Sequence, residues 1–502
     1  MNWVLANLLL LLPWLNPITF GPTQSLAQFL VVWTSAIFFG LYCRRERSSN
    51  PDLYRLIATS WLLAATISAL IGLLQYLGLS AAFGPLINYV EAGQAYANLR
   101  QRNQLATLLA IGVCALLWWQ AQPSWKVGPK ARSFAVRWVL GWAAVVLATA
   151  DAATGSRIGM LQLVLLLGLS QLWQRGRGTL AWMVAVYAVA AVVLPRLAGL
   201  DPLHSGILGR VGEASAPCSS RITLWSNAIE LIAQKPWTGW GWGELGYAHF
   251  MHLYAGERFC EIMGNAHNLP LHLAAELGIP AAVLVCGTLV WLVWRAKPWQ
   301  EHDATRQMAW GVLAAIAAHS MVEYPLWYGP FQLAALLAVW MLWQTAPLGP
   351  IRQGVLKLPA ILRSYGPGAL ACVVLLACSY AAWDYWRISQ IYVGESARAP
   401  YYREDTLDKI RPSWLFSNQV KFAELGITPL DADNAAYIHA LALDMLHFSP
   451  EASVAKKIID SDLLLGQPDE AQYYRQRLQA AYPQDYAAWL RGQTSDTDDE
   501  AP

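Results

Sequence analysis

The stretch "NAHNLPLHLAAELGIPAAVLVCGTLVWLVWRA", residues 265–296, joins a polar segment to a long apolar run. From Ile279 onward it is apolar, and its length lies in the range of about 17–25 residues that lets a helix cross a bilayer. Directly before this apolar run stand five polar side chains: Asn265, His267, Asn268, His272 and Glu276. A polar segment that leads straight into a membrane span places ionisable groups next to the bilayer, so we ask what they contact there.

The composition of the whole chain is that of a membrane protein. Of its 502 residues, 56% are hydrophobic and 14% are charged, whereas soluble proteins carry roughly a quarter charged residues. The first apolar stretch has neither a basic beginning nor a clear cleavage site, so we expect it to be retained as a span. Eleven transmembrane helices are predicted, at 2–20, 25–43, 55–78, 103–121, 136–151, 158–173, 179–197, 279–296, 307–323, 330–347 and 367–386.

The distribution of basic residues predicts the orientation of these spans. With the N-terminus in the cytoplasm, nearly every lysine and arginine of the short loops lies inside, as the positive-inside rule requires. The inner loops are then 44–54, 122–135, 174–178, 297–306 and 348–366. An odd number of spans places the C-terminal segment outside. The predicted regions are spans one to seven (1–197), a large periplasmic loop (198–278), spans eight to eleven (279–386) and a periplasmic helical tail (387–502).

Two of the seven cysteines lie in the large outer loop. These are Cys218 and Cys260, and a disulfide between them would suit an oxidising compartment and brace the loop. Two free thiols are the alternative.

The tail has the pattern of a small helical domain. The stretch "LGQPDEAQYYRQRLQAAYP" (465–483) reads as a turn, a helix that Pro468 opens, and a stop. Pro450 and Pro483 are separated by nearly the 34-residue period of tetratricopeptide hairpins. We therefore expect a tetratricopeptide-like tail, with an unrelated small helical domain as the alternative.

Six arginines lie in the outer loops, against the positive-inside rule, at positions 100, 102, 157, 210, 221 and 258. For Arg210 and Arg258 a solvated loop charge is the preferred interpretation, and Arg100 fits snorkelling to headgroups. Arg102 stands in "NLRQRNQLA", Arg157 in "TGSRIG" and Arg221 at the start of "RITLWSNAIELI". A cation near the bilayer is costly unless it meets an anion, and the arginine fork binds phosphate oxygens in pairs. A lipid-linked pyrophosphate would be such an anion. The alternatives are that Arg157 pairs with Asp151, that Arg102 snorkels to headgroups, and that Arg221 is a solvated charge of a loop helix.

The polar segment before span eight is predicted to be a short helix. Asn268 is a suitable N-cap, Pro270 suits the first turn, and Gly278 ends the helix. His272 and Glu276 are four residues apart and form a natural pair on one face. His267 precedes the first turn, where a neutral imidazole could take a proton from a hydroxyl group. A purely structural histidine is the alternative.

Motifs for other chemistries are missing from the sequence. It has no HExxH, no pair of CxxC motifs, no DxD in an outer loop and no phosphate-binding GxxxxGK[ST] loop. We therefore expect no metal, no cofactor and no nucleic acid partner.

Five motifs in this order resemble the O-antigen ligase superfamily, and within it the protein O-oligosaccharyltransferase branch of PglL-type pilin-glycosylating enzymes. They cover most of the chain from about residue 95 to 345. The motifs are "QRNQLA" (101–106), "GSRIG" (155–159), "RITLW…KPWTGWGWGELG" (221–246), "HNLPLHLAAELG" (267–278) and "HSMVEYPLWY" (319–328).

The resemblance implies roles for individual residues. His267 matches the essential loop histidine, and Arg157 and Arg221 match arginines that engage the donor diphosphate. The substrate-binding candidates are Arg102, His319, Glu323 and Tyr324.

The resemblance also implies an activity and a location. A glycan would be transferred en bloc from undecaprenyl diphosphate to Ser or Thr of a periplasmic, pilin-like protein, at the periplasmic face of the bacterial inner membrane. The enzymatic alternatives are O-antigen ligation to lipopolysaccharide and glycan polymerisation. From another class, a transporter or lipid-binding protein is disfavoured, because no paired broken helices mark a midplane site.

Overall fold

The computed structural model describes residues 3–18, 24–45, 50–122, 130–212, 217–346 and 360–498, and these form an all-α fold of helices joined by loops and short 3₁₀ turns. In the first part of the chain the helices are α1 (Trp3–Leu15), α2 (Gln24–Arg45), α3 (Asn50–Tyr76), α4 (Arg102–Ala121), α5 (Lys130–Thr154), α6 (Arg157–Trp173), α7 (Arg177–Leu197) and α8 (Gly206–Gly212). The middle part holds α9 (Arg221–Gln234), α10 (Leu245–Met251), α11 (Leu269–Leu277), α12 (Ile279–Ala296), α13 (Ala304–Ser320), α14 (Gly329–Gln344) and α15 (Ala360–Ser389). The tail holds α16 (Thr406–Ile410), α17 (Ser417–Ile427), α18 (Ala435–Phe448), α19 (Ala452–Leu464), α20 (Pro468–Ala481) and α21 (Pro483–Asp498).

Every predicted span coincides with a helix, namely α1–α7 and α12–α15. Seven helices of the described residues are long and apolar enough to cross a membrane: Leu26–Arg44, Pro51–Tyr76, Arg102–Ala121, Phe134–Thr154, Arg177–Leu197, Ile279–Gln300 and Tyr365–Tyr392. The eleven predicted helices and the helical tail correspond to an all-α fold class, which is thus confirmed, and the chain is a multi-pass membrane protein. The count of eleven spans and their orientation stay predictions. Parts of the predicted inner loops 44–54, 122–135 and 348–366 lie outside the described residues.

The chain divides into two compact units, and the first comprises residues 1–213 and 293–380. Its centre is α4, in which nearly every side chain from Gln104 to Leu116 is buried. Small residues let the neighbouring helices approach, as is usual where helices pack in membranes. A Cβ atom on Gly112 would lie 2.2 Å from the Cβ of Ala65, and one on Gly311 would lie 2.7 Å from the Sγ of Cys114.

The second unit comprises residues 214–292 and 381–502. In it, the part before α12 has a core of its own, built by apolar residues of α9, α10 and α11. The tail has a second core, in which α18 to α21 pack in sequence. The predicted turn and helix at 465–483 are confirmed, since Gly466 has a φ of +71° and Pro468 lies in the first turn of α20. The tetratricopeptide likeness and the predicted region boundaries stay predictions.

Helix α10 packs into the core of the tail. Phe250 is buried there with residues of α18 to α20, and the ring of Tyr247 stacks on His447 with a centroid distance of 3.8 Å. Nδ1 of His447 lies 2.7 Å from Oε2 of Glu244, and Nε of Arg477 donates to the Met251 carbonyl at 3.0 Å. A helix of the predicted outer loop therefore shares its core with the tail.

The predicted disulfide between Cys218 and Cys260 is present. The backbone N–H of Cys260 also donates to the Cys218 carbonyl at 3.1 Å. The disulfide thus ties the segment before α9 to the segment before α11.

Candidate active site

In the first unit, three of the five motifs meet through side-chain hydrogen bonds. The amide of Asn103, near the start of α4, accepts from Ser156 Oγ at 2.7 Å and donates to Glu323 Oε1 at 3.4 Å. Asn103 belongs to "QRNQLA", Ser156 to "GSRIG" and Glu323 to "HSMVEYPLWY". The sequence separates the first of these motifs from the last by more than two hundred residues, and the bundle brings all three to one place.

A second layer of polar groups lies deeper in the same unit. His319 is 1% exposed, and its Nδ1 lies 2.9 Å from Thr107 Oγ1. The Nε2 of Gln162 donates to the same hydroxyl at 2.9 Å and to the Ala315 carbonyl at 2.9 Å. We call Asn103, Thr107, Ser156, Gln162, His319 and Glu323 the bundle cluster. Because its members bond to one another inside the helix bundle, His319 is a packed residue, and its predicted contact with substrate stays a prediction.

The predicted anion-binding arginines of the first unit lie at helix starts. Arg157 is the first residue of α6 and is exposed, and the preceding Ser156 caps this helix by accepting from Gly159 N at 3.2 Å. The positive end of the helix dipole adds to the charge of Arg157 and favours an anion there. Arg102 begins α4, and its Nη2 donates to the Tyr96 hydroxyl at 3.0 Å.

The aromatic residues that follow Glu323 stack on one another. The Tyr324 and Tyr328 rings lie 5.7 Å apart between centroids with an interplanar angle of 18°. Burial, together with the neighbouring Tyr324, raises the pKa of Tyr328, so its hydroxyl is neutral and able to donate a hydrogen bond.

In the second unit, α9 and the loop before α11 form what we call the loop site, with Arg221 and His267 as its predicted catalytic residues. Ser220 caps α9 by accepting from Thr223 N at 3.1 Å, so Arg221 is the first helical residue. One turn further, Trp225 Nε1 donates to the carbonyl of Ala266 at 3.1 Å. Residues i and i+4 share a helix face, so α9 presents Arg221 on the face that holds the residue before His267.

The backbone of His267 has an uncommon conformation. Its φ is +50°, in the left-handed region that residues other than glycine seldom adopt and that is enriched at functional sites. Two asparagines hold the conformation: Asn265 Oδ1 accepts from His267 N at 2.8 Å, and Asn268 Oδ1 accepts from Leu271 N at 3.1 Å. Asn268 is the N-cap of α11 and Pro270 lies in its first turn. The predicted place of His267, immediately before a capped helix, is thus confirmed.

The predicted pair on α11 is present and buried. Nε2 of His272 lies 3.5 Å from Oε2 of Glu276, and both side chains are 3% exposed or less. Burial, and to a smaller extent the nearby His267, lowers the pKa of His272 to about 4. Burial raises the pKa of Glu276 to about 7, although the N–H groups of Gly243 and Leu245 stabilise its charged form. At about pH 6 both groups are therefore largely neutral, and the pair serves packing.

The "KPWTGWGWGE" segment, residues 235–244, attaches to α11 through its backbone. The N–H groups of Trp240 and Gly241 donate to the carbonyls of Ala275 and Glu276, each at 2.9 Å. Two glycines with positive φ make this approach possible. A Cβ on Gly239 would lie 2.3 Å from the Glu276 carbonyl, and one on Gly278 would lie 2.3 Å from the Trp237 oxygen. Gly239 in this segment and Gly278 at the end of α11 thus allow the close backbone contact that positions the helix after His267.

Another buried histidine has a structural role. His249 Nε2 lies 3.0 Å from the Phe259 carbonyl and its Nδ1 lies 2.8 Å from the Tyr254 hydroxyl. Burial lowers the pKa of His249 to about 3, so it is a neutral packing residue.

Several residues of these sites were not singled out from the sequence: Asn103, Thr107, Ser156, Gln162 and Trp225. Four of them lie in or beside apolar spans, where a polar side chain is costly and usually has a purpose. In "QRNQLA" and "GSRIG" this signal points to Asn103 and Ser156 as well as to the arginines. Of the three predicted catalytic residues, Arg157 lies in the first unit, whereas Arg221 and His267 lie in the second.

Comparison with known proteins agrees with the order of the motifs. Family models match residues 95–119 (protein glycosylation ligase), 142–286 (O-antigen ligase) and 307–495 (virulence factor membrane-bound polymerase, C-terminal). A general O-oligosaccharyltransferase of Acinetobacter baylyi is 23% identical over 394 residues, which is 74% of this chain and 66% of that protein. A ComP-specific O-oligosaccharyltransferase of the same organism is 24% identical over 312 residues, 61% of this chain and 53% of that protein. The alignments therefore span about two thirds and about half of these relatives.

Proposed function

We propose that the chain is a protein O-oligosaccharyltransferase. The proposal rests on the resemblance to the protein-glycosylating branch of the O-antigen ligase superfamily, which these matches confirm. The chain transfers a glycan en bloc from undecaprenyl diphosphate to a Ser or Thr hydroxyl of a periplasmic, pilin-like protein. The observation that carries the proposal is the loop site. There α9 begins with Arg221, and its Trp225 binds the backbone of Ala266, directly before His267 with its left-handed conformation.

The chemistry follows from the residue types. A bond forms between the acceptor oxygen and the anomeric carbon while the bond from that carbon to the diphosphate breaks. His267 accepts the hydroxyl proton, and the electron pair leaves with the diphosphate. Arg157 and Arg221, assisted by Arg102, hold the diphosphate oxygens and stabilise the charge that develops on them. Since a diphosphate is already a good leaving group, positioning supplies much of the acceleration.

The proposal includes a location in the bacterial inner membrane with the site facing the periplasm. Two features support it, the distribution of basic residues and the disulfide. The short-loop cations alternate as the positive-inside rule requires, the outer loop carries a disulfide, and disulfides persist in oxidising compartments such as the periplasm.

The test is a gene deletion complemented with variants. Intact-mass spectrometry of pilin-like periplasmic proteins should show loss of a glycan on deletion and its return with the wild-type gene. His267→Ala should fail to restore it, with a loss of roughly a hundredfold or more, while expression and accumulated donor stay normal. His272→Ala is the matched control and should be milder, because His272 packs against Glu276. Full glycosylation by His267→Ala at limiting enzyme would remove His267 from the mechanism.

A second candidate, glycan polymerisation or ligation to lipopolysaccharide, is favoured by one observation. The C-terminal match, residues 307–495, is to a family described as a membrane-bound polymerase. A lipopolysaccharide gel of the deletion strain distinguishes the two. Altered capping or chain length with unchanged protein masses would support this candidate, and no change in either would favour a transport or lipid-binding role.

A further inference from the structure

Asn103 connects two motifs of the first unit through the two ends of one amide. Its Oδ1 accepts from Ser156 Oγ at 2.7 Å, and its Nδ2 donates to Glu323 Oε1 at 3.4 Å. Asparagine offers a donor and an acceptor on one flat group, whereas aspartate offers acceptors and leucine offers neither. The side chain at position 103 therefore has to offer both a donor and an acceptor for both bonds to form, which an amide does at every pH and an ionised carboxylate does not.

On the α6 side, the bond determines how the helix is capped. Ser156 Oγ accepts from Gly159 N at 3.2 Å, and its single proton goes to Asn103. A hydroxyl group that donates on one side and accepts on the other has a fixed orientation. Asn103 thereby fixes the N-cap directly before Arg157.

On the α13 side, the bond holds a turn. Glu323 is 6% exposed, and its N–H donates to the His319 carbonyl at 2.9 Å. The next residue is Tyr324, which stacks on Tyr328. Asn103 thus sets the spacing between the turn that carries Arg157 and the turn that carries Glu323 and Tyr324.

We infer that Asn103 is a positioning residue for glycan transfer, which aligns these two turns through both ends of its amide. The inference rests on the proposed function, and it assigns no contact between Asn103 and substrate. Asn103→Asp provides the sharpest test, because the variant keeps the acceptor for Ser156 and replaces the donor toward Glu323 with a second carboxylate.

Two facing carboxylates disfavour double ionisation, so one of them holds a proton at a raised pH. When protonated, the carboxyl group introduced at position 103 again donates to Glu323. The turnover of Asn103→Asp relative to wild type should therefore be about tenfold or more reduced at about pH 8 and should recover toward about pH 5.5. The KM for the acceptor should stay unchanged. When it is added to Glu323→Gln, Asn103→Asp should cause no further loss of turnover at about pH 8, since the amide introduced at position 323 donates to the carboxylate introduced at position 103.

Controls separate positioning from folding. Gln122→Glu makes the same amide-to-carboxylate change at the other end of α4, where Gln122 Nε2 donates only to the Trp118 carbonyl among the described bonds, and it should match wild type at each pH. Melting curves in detergent report whether each variant folds. If Asn103→Asp does not fold, Ser156→Ala tests the other end of the amide and should lower turnover about tenfold without a change in KM.

The outcomes distinguish the inference from the proposed function. Wild-type turnover in Asn103→Asp at about pH 8, a pH-independent loss of equal size with Glu323 or Gln at position 323, or a fully active Ser156→Ala would each overturn the inference alone. A folded wild-type protein that transfers no glycan from lipid-linked donor to any periplasmic acceptor would overturn the proposed function and the inference with it.

Discussion

The bundle cluster and the loop site hold their predicted functional residues in different ways. In the bundle cluster, side chains bond to side chains, as Asn103 does to Ser156 and Glu323. In the loop site, side chains bond to the backbone, as Trp225 does to Ala266. The adjoining segment 235–244 attaches to α11 through backbone groups alone, as where Trp240 N donates to the Ala275 carbonyl. The first site therefore depends on which polar groups stand on rigid helices, and the second on how closely two stretches of backbone approach.

The two sites are therefore sensitive to different substitutions. A cluster of side chains tolerates a change of backbone environment and fails when a donor becomes an acceptor. A backbone interface tolerates many side chains and fails where a Cβ atom has no space. Substitutions at the two sites can test this contrast.

The largest effect is expected at Gly278. The Cβ of Gly278→Ala would lie 2.3 Å from the Trp237 oxygen, which is backbone and cannot rotate away. We expect a loss of roughly 5 kcal/mol of stability, enough to remove most folded protein. Gly243→Ala is the matched control, since Gly243 has nearly the same positive φ and an added Cβ would meet nothing within 4 Å. It should cost about 1–2 kcal/mol. Thermal melting in detergent measures both, and equal losses would contradict the backbone-contact account.

The disulfide should give the next largest effect. Cys218 and Cys260 are 42 residues apart, and a closed loop of this size contributes about 4 kcal/mol. Cys218→Ser with Cys260→Ser should lower the melting temperature, and a reductant should lower that of wild type to the same value. Cys372→Ser, at an exposed free cysteine, is the control and should change stability by less than about 0.5 kcal/mol.

The arginines should affect the reaction more than the stability. Arg157→Ala and Arg221→Ala should each lower the transfer rate roughly a hundredfold. Lysine should restore only part of the rate, because an ammonium group cannot form the two parallel hydrogen bonds of a guanidinium group to phosphate oxygens. Arg196→Lys, at an exposed arginine whose Nη1 donates to the Val192 carbonyl, should leave the initial rate unchanged. Full rescue by lysine at both sites would show that charge alone suffices.

The smallest effect concerns pH and the buried pair. The pKa of Glu276 is raised from 4.5 to about 7, so its contribution to stability is present below about pH 4.5 and is lost as the pH rises through 7. The pKa of His272 is lowered from 6.5 to about 4, so the folded state loses stability as the pH falls from 6.5 to 4. In wild type, the pH dependences of stability that come from Glu276 and His272 therefore have opposite signs.

Single substitutions should separate these two pH dependences of stability. The melting temperature of His272→Gln should rise by roughly 2–4 °C between about pH 8 and about pH 5, and that of Glu276→Gln should fall by a similar amount. His249, neutral and buried, adds the same acid-side loss to all variants, so the difference between the variants is the quantity to compare. Parallel pH profiles would contradict the assignment.

Much of the fold could be predicted because each span carries its own signal. An apolar run of sufficient length forms a helix whatever its neighbours are, so each of the eleven predicted spans matched a helix. Helix caps could be predicted as well, because they depend on residues close in sequence, as the N-cap Asn268 of α11 shows. The packing of α10 into the tail could not be predicted, since it depends on contacts between residues about two hundred positions apart.

The candidate site was predicted in part for the same reason. Charged residues such as Arg157 are conspicuous near a membrane, whereas Asn103 and Gln162 reveal their partners only after the helices pack. Gly239 belongs to the motif "KPWTGWGWGELG". Only a glycine fits at this position because the backbone of Glu276 lies next to it. A spacing along the sequence gives no measure of that distance.

The packing of α10 against the tail also imposes an order on biosynthesis. Glu244 and its partner His447 are 203 residues apart, so at about 5–20 residues per second the partner emerges roughly 10–40 s later. During that interval the apolar side chains of Tyr247 and Phe250 have no core to enter, and the nascent loop is open to chaperones and proteases. Cys218 and Cys260 both precede the tail, so their disulfide can close first and hold the loop until the last helices arrive.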